Sequence, residues 1–235
     1  MRRSLSFGAL AISAVLVVAG CGGDDDTTND AAPTPTADDM AEAGADDTTD
    51  AGSPTVALSA ADLRATLEVE LQEHVYLAGA ATGEALGGRT DAFEAAAAAL
   101  DANSDDIVEA IRAVYGDDAA GAFDPLWRKH IGFFVDYTTA RGAGDQAGAD
   151  AAIAELTAYA DEFGAFLESA TDGNLTKDTV AGLVGEHATT LIAAIDAQAA
   201  GDASAAYRSL KEAASHMTMI AAPLATAIAT QQNLT

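Results

Sequence analysis

The strongest chemical signal in this sequence is a set of four histidines, His74, His130, His187 and His216, placed in a repeating rhythm. Fifteen residues after His130 stands Asp145 of a Gly-Asp pair, and fourteen further on stands Tyr159. His187 is followed in the same way by Asp202 of a Gly-Asp pair and then by His216. His74 keeps the rhythm more loosely, with Arg89 just past Gly87-Gly88 and then Asn103. Neutral imidazole is a ligand for zinc, copper and iron, and helical bundles build such sites from facing helices. Three histidines with an open fourth position is also the arrangement of catalytic zinc. The expectation is therefore that His74, His130, His187 and His216 converge on one transition metal ion: copper, zinc or iron. Two other readings compete. The histidines could each hydrogen-bond a neighbouring helix and fix its register, as in a structural or interaction domain, or three of them could serve a metalloenzyme.

Convergence requires helices that carry the four rings to one height. A residue 13–14 positions from a turn lies about 20 Å from it along a helix. His187 and His216 are nearly equidistant from the turn at Gly201, so they should face one another. The same count puts Asn103 and Tyr159 at the corresponding places. Rotation is set by the apolar stripes. His130 shares one with Phe123, Leu126, Trp127, Phe134 and Tyr137; His187 with Val180, Leu183, Val184 and Leu191; His216 with Ala213, Met219 and Ile220. A histidine on such a stripe faces the interior, where its polar atoms need partners.

The breaks between stripes fall at Gly87-Gly88, Gly116-Asp117, Gly142 to Gly148, Asp172-Gly173-Asn174 and Gly201-Asp202. They delimit six helices near 59–86, 90–115, 118–141, 147–170, 176–200 and 203–231. Ser59 with Asp62 reads as a capping box for the first. Period-two β-branched runs are absent. The predicted fold is all-α, a six-helix up-and-down bundle of three repeated αα-hairpins, with successive first-helix histidines 56 and 57 residues apart.

Several chemistries lack their signatures. A glutamate three residues before a histidine, as in di-iron bundles, is missing, because Leu71, Trp127, Val184 and Ala213 occupy those places. No His-Glu-x-x-His or Cys-x-x-Cys-His occurs. Haem held without covalent attachment would draw on His216 with Met217 or Met219. Glu70 and Glu212, one turn before a histidine, are the carboxylates placed to orient a ring. Tyr137 and Tyr159 lie near the same level. No nucleophile elbow or Ser-His-Asp order is present, and no residue is assigned a catalytic role.

The chain's one cysteine, Cys21, follows Met1-Arg2-Arg3 and the apolar run Gly8 to Val18. Val18-Ala19-Gly20-Cys21 resembles a bacterial lipobox. On that reading 1–20 is a lipoprotein signal peptide, Cys21 is lipidated, 21–55 is an acidic disordered linker and 56–235 is the bundle domain. Membrane lipid, through the acylated Cys21, is then the expected partner, with the domain outside the cytoplasm on a bacterial cell envelope. No later segment reads as apolar enough to cross a bilayer. Residues 22–55 contain acidic but no basic side chains, yet account for less than half of the formal net charge of −26. A domain this acidic excludes nucleic acid as a partner, since phosphate binding needs clustered Lys and Arg.

Four segments, taken together, resemble an exported all-helical bacterial lipoprotein family whose members are mostly uncharacterised. They are Glu73-His74-Val75; Asn103 through Asp106-Ile107 to Tyr115-Gly116; His130-Ile131 through Gly144-Asp145; and Glu186-His187 through Thr189-Thr190 to His216-Met217. The likeness covers most of 60–231 and includes all four histidines. It implies the helical fold and carries no activity with it.

Overall fold

The structure, a computed structural model, describes residues 59–235. The expected signal peptide at 1–20, Cys21 and the expected linker to residue 55 lie outside the described residues. Six helices make up the domain: α1 (Ala60–Leu86), α2 (Thr90–Tyr115), α3 (Asp117–Ala143), α4 (Gln146–Ala170), α5 (Lys177–Ala199) and α6 (Ala203–Gln232). No strand occurs among the described residues. The helix ends fall within two residues of the breaks in the sequence pattern, because those breaks are local chemistry. Ser59 and Asp62 form the expected capping box, with Ser59 Oγ accepting from the Asp62 N–H at 3.1 Å.

The two Gly-Asp pairs work in two stages. Gly144 (φ 69°) and Gly201 (φ 73°) take the left-handed conformation that turns the chain. Asp145 and Asp202 then cap the next helix, accepting from the Gly148 N–H at 3.0 Å and the Ala205 N–H at 2.9 Å. Each such cap stabilises its helix by about 1 kcal/mol.

Each helix packs on the next, α6 closes the ring against α1, and α1, α3 and α5 also touch one another pairwise. Those three helices therefore form an inner triangle. They run in the same direction. Near the end of α5, Gln198 donates to the Gly79 carbonyl at 2.8 Å near the end of α1. On the same turns, Asp196 of α5 accepts from Tyr137 Oη of α3 at 2.8 Å and pairs with Arg141 of α3 at 2.7 Å. The other three run oppositely, and their ends meet around Gln231 of α6. It accepts from Tyr115 Oη of α2 at 2.7 Å and donates to the Ala170 carbonyl of α4 at 2.8 Å. The helices alternate up and down.

Helix α5 corrects one expectation: at 23 residues and a mean hydropathy of 1.2 it is long and apolar enough to cross a membrane. Its position explains the composition. It packs against α1, α3, α4 and α6, and buries Val180, His187, Leu191, Ala194 and Ile195. The approach of α4 to its first turn is close enough to demand glycine. A Cβ on Gly164 would lie 2.6 Å from the Lys177 carbonyl oxygen.

Candidate metal centre

The inner triangle fixes which histidines meet. His74 on α1, His130 on α3 and His187 on α5 point into its centre, and all three are buried. One ring nitrogen from each lies within 4.8 Å of the others. The Nε2 atoms of His74 and His130 are 3.4 Å apart. Two nitrogens on one tetrahedral zinc, at bonds of about 2.0–2.1 Å, stand about 3.3–3.4 Å apart, so this pair already has ligand spacing.

His216 does not join them. Its ring is equally buried, but Nε2 donates to the Leu183 carbonyl of α5 at 3.0 Å. Its Nδ1 lies 4.0 Å from Glu186 Oε1. It is used up in tying α6 to α5. Height and inward rotation brought His187 and His216 to neighbouring places, as expected, but α6 sits outside the triangle. The apolar stripe assigned to it also needs correcting: Met217 is buried, whereas Met219 is 57% exposed.

Burial, reinforced by the neighbouring His130, pushes the His74 imidazole down to about 3. Burial with His187 does the same to His130, and burial with His74 and His216 to His187. At neutral pH the three rings are uncharged and keep a lone pair each, the state a metal requires. No carboxylate or thiol among the described residues belongs to the group.

Their surroundings leave polar atoms unsatisfied. His130 donates Nδ1–H to the Trp127 carbonyl one turn earlier, which leaves its Nε2 bare and aimed at His74. His74 Nδ1 and His187 Nδ1 are buried without a hydrogen-bond partner. Asn103 of α2 stands beside His74, and its contact raises the pKa of that ring against the two larger effects. The Asn103 amide is held from behind. Its Nδ2 donates to the Glu70 carbonyl at 3.1 Å and to Glu70 Oε2 at 3.0 Å, while its Oδ1 is buried and unpartnered. If His74 carries its proton on Nδ1, facing Asn103, its Nε2 lone pair meets that of His130 head-on. A cation between them resolves that repulsion; in the other tautomer His74 Nε2–H donates to His130 Nε2 across the same 3.4 Å. Buried polar atoms in native proteins are nearly always paired, and around this point the described residues leave several without a partner.

Aromatic rings close the sides. Trp127 stands 4.9 Å from the His74 ring and 4.7 Å from His130, and Tyr159 stacks on His130 at 5.2 Å. Phe134 lies 6.1 Å from His187. Tyr159 presents its ring face and not its oxygen. One turn before the histidines along the three parallel helices is an apolar cavity of about 40 Å³, lined by Leu71, Trp127, Leu183 and Val184 among others.

The sequence marked Asn103 as the counterpart of Tyr159 and His216 but gave it no role. The signal was there: it keeps the same spacing from the turn, and a buried amide at that height needs something to bond. Glu70 acts on His74 only through that amide. Glu212 makes no contact with a histidine, and Tyr137 bonds Asp196, away from the three rings. Comparison with protein-family models, with curated proteins and with solved structures returned no match.

Proposed function

We propose that this chain is a membrane-anchored, extracytoplasmic helical protein that binds a transition metal ion through mid-bundle histidines, with His74, His130 and His187 as the ligands. The observation that carries the proposal is three uncharged, buried imidazoles with one nitrogen from each within 4.8 Å of the others, and with Nδ1 of His74 and of His187 unpartnered. In this reading the domain is three αα-hairpins of one design. Each contributes one histidine from its first helix, so parallel inner helices deliver identical side chains to one level. The lipid on Cys21 holds the domain at a bacterial envelope, and the acidic surface concentrates cations around it.

The alternative of histidines as structural polar contacts is favoured at one position, His216, by its hydrogen bond to Leu183. A hydrolytic metalloenzyme is less well supported. The cavity one turn from the three rings is apolar, and an activated water needs polar company. The test is elemental analysis of untagged protein after exposure to copper, zinc and iron. One ion per chain is expected, and no stoichiometric metal would overturn the proposal.

A further inference from the structure

Resting on that reading, we infer that the ion for which the three-histidine site is built is monovalent and three-coordinate, namely Cu(I), and not a divalent metal. The donor set holds three neutral nitrogens and nothing else. No carboxylate or thiol among the described residues comes within reach of the group. The chain's single cysteine, Cys21, falls outside the described residues. A divalent ion bound here would place two charges in the core with no anionic ligand to offset them. The cost of moving an ion from water into a medium of low polarity rises with the square of its charge, so a divalent ion pays about four times what a monovalent one does.

A fourth ligand could relieve that cost if it were hydroxide or another anion, as on catalytic zinc. Apart from the Asn103 amide beside His74, the walls among the described residues give such a ligand no hydrogen-bond partner. Trp127 and Phe134 close two sides with carbon, Tyr159 offers a ring face, and the adjoining cavity is lined by apolar side chains. Three imidazoles alone satisfy Cu(I). At bonds of about 2.0 Å a trigonal ion sets its nitrogens about 3.5 Å apart, beside the 3.4 Å already found between His74 and His130. Trp127 adds an aromatic ring against two of the ligands, a favourable neighbour for a cation with little hydration.

The experiment uses metal-free native protein under anaerobic conditions. Cu(I) is supplied as its acetonitrile complex, Zn(II) as the chloride, and each is competed against a chelator of known affinity. Trp127, the only tryptophan in the chain, reports occupancy through its emission. Cu(I) should bind at one per chain and more tightly than Zn(II) by about a hundredfold or more, the scale on which a change in the surroundings of a metal alters its affinity. X-ray absorption at the copper edge should show three nitrogen neighbours. Zinc held as tightly as Cu(I), or a fourth light-atom ligand on bound copper, overturns the inference while leaving metal binding intact. Binding of neither ion overturns both readings. The comparison is made on the native chain, so it does not depend on any variant folding.

Discussion

The inner and outer helices cross the middle of the bundle with side chains at matched positions, and treat them in opposite ways. On α1, α3 and α5 the residue is the same each time, histidine, and the three rings meet with nitrogens left unpaired. On α2, α4 and α6 the residues are Asn103, Tyr159 and His216, all different, and each serves a neighbour. Asn103 braces His74 from Glu70, Tyr159 stacks on His130, and His216 bonds the α5 backbone. Burial alone therefore does not bring the rings together. Depth in the triangle does, because only helices that touch pairwise can bring three short side chains to one point.

The sharpest way to break this contrast is to remove one histidine from each class. His130→Ala should lower metal affinity by more than about a hundredfold, beyond the effect of losing a supporting group. His216→Ala should keep one ion per chain and lose about 1–3 kcal/mol of stability with its hydrogen bond. Metal titration and chemical denaturation of both variants read the two effects separately. Loss of metal in the second and not the first would reverse the assignment.

Acid should separate the classes next. The folded protein holds three imidazoles neutral down to about 3, whereas in the unfolded chain they take up protons near 6.5. Below 6.5 the unfolded state binds more protons, so stability falls as pH falls, and the loss runs until about pH 3. Each histidine contributes up to about 1.4 kcal/mol per pH unit, about 4 kcal/mol for the three. Unfolding of metal-free protein in urea between pH 7 and 5, above the range where surface carboxylates titrate, measures the slope. His187→Phe should reduce it by about a third, and an unchanged slope would show that His187 is not held neutral.

The smallest expected effect is on the brace. Asn103→Leu leaves the three histidines in place but removes the amide oxygen beside His74, and should weaken metal binding by about tenfold. Glu70→Gln, which can still accept from the amide, should cost less. Equal affinity in all three proteins would reduce the Asn103 contact to packing.

Much of this architecture could be read from the amino acids. Gly144-Asp145 and Gly201-Asp202 mark helix boundaries because each residue of the pair has one local task, a left-handed turn or a cap. The level and inward rotation of the histidines follow from counting residues from those turns. What counting does not supply is which helices lie innermost. His216 has the height and stripe of a ligand but sits on an outer helix, and only the long-range contacts among α1, α3 and α5 decide that. The same gap explains Met217 and Met219, which are two residues apart and exchanged between interior and surface once α6 is seated. It explains α5 too, whose hydropathy belongs to a helix surrounded by four others.

The cavity one turn from the three rings has a mechanical consequence. Protein interiors yield little, and a side chain that shifts usually has to push a neighbour aside. Trp127, which stands against the His74 and His130 rings, itself borders empty space, so an indole that follows a tightening of the trio leaves nothing crushed behind it. If the three rings hold an ion as proposed, grasp and release become small swings of side chains while the backbone stays still.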